Sequence, residues 1–341
     1  MKKFCVLAVL FCVVCALNSR PQENEYQYSD YAAMRSHVGK LFAEQKYMEA
    51  ARILEWALEE YPDHVLANSY NLALMWVHLK EYEKSAAALQ AGIDRGIWYG
   101  KYSFFQDFWE PMKKMESFQT VLTVCQEKMK EKQVQSKPEV LVLTPENYQK
   151  DKKYPLFIAL HGGGGNIEGF KENWTSEKLN KKFIVLFVQS SMAVSMDGYN
   201  WTEDIEKSKN EIKAAYEKIL PEYPIDTDKV IIGGFSSGGV ASLAVVLDNT
   251  LPVAGFVVLC PAKPESFSRE RVESMKNRGL RGTILTTEMD GRLNDQKEMA
   301  AVLKETGFDH RFIVTPNIGH WFPEDMNVKI DEAIEHILND E

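Results

Sequence analysis

The sequence predicts an α/β protein with a mostly parallel sheet covered by helices on both faces, preceded by a smaller all-helical domain. In residues 138–341, short apolar runs typical of strands alternate with segments of helical periodicity. This alternation indicates parallel strands joined by crossover helices. In residues 30–134, helical periodicity dominates and strand signals are few. A charged stretch that ends in a proline, over residues 130–138, is typical of a linker between two domains.

The helical domain contains an internal repeat. Residues 45–54 align with residues 80–89, with tyrosine, alanine and leucine at matching positions. Small residues at such positions let two helices pack closely. The pattern resembles the tetratricopeptide repeat, whose period is about 34 residues. Two roles remain open for this domain: a groove that contacts a protein or peptide, or an appendage that shapes the entrance of the second domain.

Composition limits the classes of partner. The chain has 341 residues, 45% of them hydrophobic, and a formal net charge of −9. No cluster of lysine and arginine interrupts that acidic balance, so nucleic acid is not an expected partner.

Residues 1–19 have the pattern of a signal peptide. Lys2 and Lys3 precede an apolar run over residues 4–17, which is short for a membrane-spanning helix. We therefore expect export, to the periplasm or out of the cell. A lipid anchor on Cys12 or Cys15 is the alternative, together with a membrane anchor that is never cleaved.

Outside that segment the chain has two cysteines, Cys125 and Cys260, which belong to different predicted domains. They suggest no disulfide framework, and no cysteine or histidine spacing indicates a metal site. No cofactor is expected.

Residues 230–246 have the pattern of a nucleophile elbow. An apolar run leads into Gly-Phe-Ser-Ser-Gly at residues 234–238, and a helical segment follows. A sharp turn between a strand and a helix exposes the serine hydroxyl, here that of Ser236. Glycines on both sides relieve crowding in such a turn. A glycine-rich turn with incidental serines is the structural alternative.

Two further residues follow predicted strands in the order expected of a catalytic triad. Asp290 comes after the strand that starts at residue 282, and His320 follows the strand over residues 311–315. His320 would take the proton of Ser236, and Asp290 would orient the imidazole. Glu288 and Asp295 are rival candidates for the acid.

A fourth motif precedes these three. An apolar run over residues 156–160 leads into His-Gly-Gly-Gly, in which glycines can present backbone N–H groups to an oxyanion. The expected donors are the N–H groups of Gly163 and Ser237. His161 is expected to brace the loop, and a phosphate-binding glycine loop is the alternative interpretation.

Taken together, these motifs resemble the α/β-hydrolase superfamily over about residues 138–341. Within it, the chain is similar to small esterases of the phospholipase/carboxylesterase and dienelactone-hydrolase types. The resemblance rests on residues 160–164, 223–230, 234–239 and 319–320. It implies a serine hydrolase that cleaves carboxylic esters through an acyl-enzyme, without a cofactor.

The loop over residues 190–204 is expected to form a wall of the substrate pocket. Tyr199 and Trp201 in this loop, with Trp321 beside His320, are the candidate substrate-binding residues. Such a site suits a small-molecule or carbohydrate ester. Two other functions remain open: a serine peptidase of the prolyl-oligopeptidase type, and a non-catalytic protein that binds through its repeats.

Overall fold

The computed structural model describes residues 26–339, which form two compact units, 26–88 and 89–339. The predicted signal peptide, residues 1–19, lies outside the described residues. The boundary between the units falls within a helix, whereas the sequence places a linker over residues 130–138. The sequence-based domain bounds therefore remain a prediction. Between residues 26 and 339, no helix combines the length and the apolar character that crossing a bilayer requires.

The first unit is helical. Ala50, Ala51 and Ala57 on its second helix are fully buried, so their small side chains allow the helices to approach closely. Polar groups inside the unit are satisfied, since the Asn68 amide donates to the carbonyl of Ala57 over 3.1 Å. Its elements are α1 (Tyr31–Ala43), α2 (Tyr47–Glu60), a 3₁₀ turn (Pro62–His64), α3 (Val65–His78) and the first half of α4 (Tyr82–Asp94).

The second unit contains all the strands. They are β1 (Glu139–Leu143), β2 (Tyr154–Leu160), β3 (Ile184–Gln189), β4 (Ile225–Phe235), β5 (Gly255–Leu259), β6 (Arg281–Thr287) and β7 (His310–Thr315). Its helices are the end of α4, a 3₁₀ segment (Asp107–Met112), α5 (Glu116–Gln135), α6 (Ile167–Lys171), α7 (Glu177–Lys182), α8 (Ile205–Ile219), α9 (Ser237–Leu247), α10 (Arg269–Asn277), α11 (Leu293–Glu305) and α12 (Met326–Leu338).

The strands form one sheet in the order β1-β3-β2-β4-β5-β6-β7. Only the pairing of β1 with β3 is antiparallel, and all other neighbours within residues 26–339 are parallel. The mostly parallel sheet predicted from the sequence is therefore confirmed.

Helices cover both faces of the sheet, and alternate residues of each strand point to opposite layers. Leu156 and Ile158 of β2 belong to a core with α8, α9, α10 and α11. Phe157 and Ala159 belong to the opposite core, with α6, α7 and α12. The central strands are buried on both sides, which explains why they are almost continuously apolar in the sequence.

The carboxyl ends of β2, β4, β6 and β7 meet at one edge of the sheet. Each is followed by a loop or turn that carries one of the predicted site motifs. This edge is where open α/β sheets place their binding sites.

Candidate active site

Ser236 occupies the turn between β4 and α9, with φ of 52° and ψ of −114°. A non-glycine residue at positive φ costs about 1–3 kcal/mol and persists only where the surroundings hold it. Here the N–H of Ser236 donates to the carbonyl of Leu259 over 2.8 Å, and its carbonyl accepts from the N–H of Val240 over 3.0 Å. Hydrogen bonds to β5 and α9 therefore hold the strained turn in place.

Gly234 and Gly238, two residues before and two after Ser236, leave no room for a side chain. A Cβ on Gly234 would lie 2.6 Å from the carbonyl oxygen of Leu160. A Cβ on Gly238 would come within 3.0 Å of the carbonyl oxygens of both Leu160 and His161. Real Cβ atoms essentially never approach backbone this closely, so α9 can pack against the end of β2 only with glycine at these positions.

Gly238→Ala is expected to destabilise the second unit by about 3 kcal/mol or more, because the new methyl group collides with rigid backbone. Urea unfolding followed by circular dichroism measures this loss. Gly291→Ala is the matched control, since a Cβ at Gly291 meets no atom within 4 Å. An unfolding midpoint for Gly238→Ala equal to that of the control would contradict the packing described here.

The structure brings Ser236, His320 and Asp290 together in one chain of hydrogen bonds. Nε2 of His320 lies 2.8 Å from Oγ of Ser236. Nδ1 of the same ring lies 3.0 Å from Oδ2 of Asp290. Because a carboxylate only accepts, Nδ1 carries the hydrogen, which leaves the lone pair of Nε2 free to accept the serine proton.

The carboxyl group of Asp290 is almost fully buried and densely hydrogen-bonded. The backbone N–H of Arg292 donates to Oδ1 over 2.8 Å, and the amide of Gln296 donates to Oδ2 over 3.3 Å. Burial raises the pKa of this carboxyl, but hydrogen bonds from Arg292, Cys260, His320 and Gln296 outweigh the burial and hold the pKa below its ordinary value. Asp290 is therefore a carboxylate at neutral pH.

The two rival acids lie elsewhere. Glu288 is exposed, and its carboxylate accepts from the backbone N–H of Asn317 over 3.0 Å. Asp295 is exposed in the first turn of α11. Of the three acids considered from the sequence, Asp290 is the one that the structure places against His320.

Both residues that are predicted to donate to an oxyanion line the cavity that also contains Ser236. Gly163 and Ser237 both contribute to the cavity above Ser236. Among the described residues, neither backbone N–H has a hydrogen-bond partner. Unpaired N–H groups that face a cavity can bind a developing oxyanion without first breaking another bond.

Tyr199 and Trp201 support the glycine loop instead of lining the cavity. The backbone of Tyr199 pairs with the glycine loop. The carbonyl of Tyr199 accepts from the N–H of Gly164 over 2.8 Å, and the N–H of Tyr199 donates to the carbonyl of Gly165 over 2.9 Å. Trp201 is fully buried, and its indole N–H donates to the carbonyl of His161 over 3.0 Å. Neither side chain lines the cavity, and the direct substrate contacts expected of them stay a prediction.

His161 braces the same loop from inside the protein. Its Nδ1–H donates to the carbonyl of Gly162 over 2.7 Å, and its Nε2 accepts from the N–H of Ser190 over 3.3 Å. Complete burial lowers the pKa of this imidazole to about 4, so it is neutral when folded at pH 7.

The buried histidine should make stability fall in mild acid. Between pH 6.5 and 4 the unfolded chain binds a proton at His161 that the folded protein does not, so the free energy of unfolding falls as the pH falls. We expect His161 to contribute a loss of about 2 kcal/mol between pH 7.5 and pH 5. Urea unfolding of the wild-type protein and His161→Gln at both pH values isolates this contribution. Equal pH dependence in the two proteins would contradict it.

A cavity of about 510 Å³ opens above the serine hydroxyl. Trp321 does not contribute to its wall: the side chain is 60% exposed and contacts Phe235 and Phe322. The cavity is lined by Tyr102, Phe105, Gly163, Asn200, Thr202, Ser236, Ser237, Val240, Ala262, Arg292 and His320.

Seven of the eleven wall residues are not among the site residues that the sequence predicts. Tyr102 and Phe105 precede the sheet and belong to the second unit. Tyr102 is held in place by Asn200, whose amide donates to the phenol oxygen over 2.6 Å, and by the carboxylate of Glu203. No local signal could identify these contacts between distant parts of the chain. Arg292 was within reach of sequence reasoning, because it lies two residues after Asp290.

One group of side chains within residues 26–339 has the ligand atoms for a metal ion close together. It comprises Cys260, Asp290 and His320, whose atoms lie within 4.8 Å of one another. The hydrogen bonds of the triad account for the approach of Asp290 to His320. The Cys260 thiol lies 3.6 Å from the hydroxyl of Thr287, and burial raises the pKa of that thiol to about 12. A protonated thiol is a poor metal ligand.

Comparison with known proteins agrees with this geometry. A model of the phospholipase/carboxylesterase family matches residues 147–277, which include the glycine loop and the elbow. The sheet order, the strained serine and these matched motifs together decide the fold. The second unit has the α/β-hydrolase fold. The family match supports a serine hydrolase of this type.

Solved structures resemble the chain over different extents. An uncharacterized protein from Bacillus cereus ATCC 10987 is 25% identical, with 91% of this chain and 99% of that chain covered and a TM-score of 0.52. Its similarity extends beyond the α/β-hydrolase unit into the helical region. Esterase PE8 is 15% identical, with 57% of this chain and 97% of that chain covered and a TM-score of 0.47. The fluorophosphonate-binding serine hydrolase FphF of Staphylococcus aureus is 16% identical, with 60% of this chain and 99% of that chain covered and a TM-score of 0.46.

Proposed function

We propose that the protein is a serine esterase that cleaves carboxylic esters through an acyl-enzyme. The observation that carries the proposal is the chain of hydrogen bonds from Ser236 through His320 to Asp290, with distances of 2.8 and 3.0 Å. These distances allow proton transfer from the hydroxyl to the imidazole.

In the first half of the reaction, Oγ of Ser236 attacks the ester carbonyl while Nε2 of His320 takes its proton. The negative charge that develops on the carbonyl oxygen is stabilised by the N–H groups of Gly163 and Ser237. Asp290 stabilises the imidazolium through Nδ1–H. The imidazolium then gives the proton to the leaving alcohol, and the acyl group stays on Ser236.

In the second half, water attacks the acyl-enzyme and His320 takes one of its protons. The acid product leaves, and the proton returns to Oγ of Ser236. The same site can therefore run both halves of the reaction.

Covalent labelling with a fluorophosphonate tests the proposal. We expect the intact protein to gain one adduct, mapped by peptide mass spectrometry to the peptide that contains Ser236, and to hydrolyse p-nitrophenyl acetate. An adduct on another serine would overturn the assignment of the nucleophile. If amino-acyl p-nitroanilides were hydrolysed faster than matched esters, the result would instead support a serine peptidase of the prolyl-oligopeptidase type. Neither labelling nor turnover would support a non-catalytic binding protein.

We also propose export and a repeat-like helical region. Lys2, Lys3 and the apolar run over residues 4–17 support a signal peptide, with lipidation at Cys12 or Cys15 as the alternative. The 35-residue spacing and the paired helices α1–α4 support tetratricopeptide-like repeats. Contact with a protein or peptide and service as an appendage of the hydrolase domain are the two roles proposed for them. Amino-terminal sequencing of the mature protein, where cleavage near residue 16 or 19 is expected, tests the first of these.

A further inference from the structure

Arg292 is an exposed residue that places an unpaired positive charge at the wall of the active-site cavity. Its side chain contributes to the wall, and Nη1 lies 3.5 Å from Nε2 of His320. Among residues 26–339, no carboxylate lies within 4.0 Å of its guanidinium. Its backbone is anchored, because its N–H donates to Oδ1 of Asp290 over 2.8 Å.

The rest of the cavity offers no opposite charge to balance Arg292. The other wall residues are neutral apart from His320, which is charged only when protonated. The nearby Glu203 is already compensated by the ammonium of Lys101 and the hydroxyl of Tyr102. A guanidinium has five donors and no acceptor, so it is satisfied best by an oxyanion such as a carboxylate.

The contact of Arg292 with His320 is unfavourable for catalysis when no ligand is bound. Nε2 has a single lone pair, which the hydroxyl of Ser236 needs, and a guanidinium beside it competes for that pair. The same positive charge also disfavours the imidazolium that must form during acyl transfer. An anionic group on the substrate would draw Arg292 away from Nε2 and neutralise its charge.

We propose that Arg292 selects esters whose leaving alcohol carries a carboxylate. The alcohol side is favoured because Nε2 of His320, the atom nearest to Arg292, is the one that protonates the leaving oxygen. This inference rests on the proposed esterase function and adds its substrate class. Arg292 is a specificity-determining residue in this proposal, since it would bind the substrate without taking part in proton transfer.

Two pairs of synthetic esters test the proposal. The first pair is 4-acetoxybenzoate and its methyl ester, which differ by a carboxylate on the leaving group. The second pair is monophenyl adipate and its methyl ester, which differ by a carboxylate on the acyl group. In each pair, the ratio of kcat/KM for the anionic ester to kcat/KM for the neutral ester is measured. Each ratio is compared between the wild-type protein and its variants, so differences in the intrinsic reactivity of the two esters cancel.

We expect Arg292→Ala to lower the ratio for the first pair about ten-fold and Arg292→Glu to lower it further, because charge-assisted hydrogen bonds are lost and then replaced by repulsion. Arg292→Lys should keep part of the preference, and added salt should reduce the wild-type ratio. Arg269→Ala is the matched control, since Arg269 pairs with Glu305 and does not line the cavity. The second pair should change little in any variant.

Two outcomes would overturn the proposal: the same ratio in all Arg292 variants, or a change confined to the acyl-side pair. Failure of the esterase function itself has a different signature. In that case neither ester of either pair is turned over by the wild-type protein, or turnover survives the loss of the Ser236 hydroxyl. Circular dichroism of each variant excludes misfolding as the cause of a changed ratio.

Discussion

Ser236→Ala is expected to reduce kcat for p-nitrophenyl acetate by about 10⁶-fold. The remaining turnover should then not be detectable above spontaneous hydrolysis of the ester. The reason is that no other described hydroxyl is bound to Nε2 of His320, so the base loses the group that it activates. Alanine has a Cβ, as serine does, so the strain of the turn at φ 52° is the same in both proteins. The folded structure should therefore be retained. Stopped assays at high enzyme concentration, with fluorophosphonate labelling in parallel, measure the loss.

Ser242→Ala is the matched control for that experiment. Ser242 lies on the same helix, α9, and its hydroxyl donates to the carbonyl of Gly238 over 2.8 Å. This bond stays within the helix, so its removal should change kcat by no more than about two-fold. If Ser236→Ala kept more than a small fraction of wild-type turnover, the nucleophile would be another residue.

Asp290→Asn is expected to lower kcat by about 10⁴-fold, with a smaller effect on KM. An amide in place of the carboxylate can present its NH₂ to Nδ1 of His320, which stabilises the tautomer that carries its hydrogen on Nε2. That tautomer cannot accept the proton of Ser236. The negative charge that stabilises the imidazolium is lost as well. Steady-state kinetics over a range of pH measure both effects.

Glu288→Gln provides the comparison for the acid. Glu288 is exposed and bonds to the backbone N–H of Asn317, an interaction that the glutamine oxygen can preserve. We expect its kcat to stay within about three-fold of wild type. Equal losses in Asp290→Asn and Glu288→Gln would show that the geometry around His320 does not determine the acid.

The glycine loop combines one role that the sequence indicates with two side-chain environments that it leaves undecided. His161 is expected to be a brace because it precedes four glycines, and its burial and two hydrogen bonds agree with that role. Tyr199 and Trp201 near it do not line the cavity, so their contacts with a substrate stay a prediction. Trp201 is amphipathic, and an indole ring with one N–H suits a buried carbonyl as well as a substrate. Its own sequence neighbourhood does not distinguish these two environments.

By itself, the sequence determined the elbow at Ser236, the glycine loop and the order in which the serine, acid and histidine follow their strands. These features are local, because the period of a strand, the glycines of a tight turn and the start of a helix are each specified within about ten residues. The tertiary structure decided that Asp290 and not Glu288 meets His320, that Tyr102 and Phe105 line the cavity, and that Arg292 lies at its wall without a carboxylate partner. These outcomes depend on contacts between segments far apart in the chain, and such contacts exist only after the sheet has brought its strand ends to one edge.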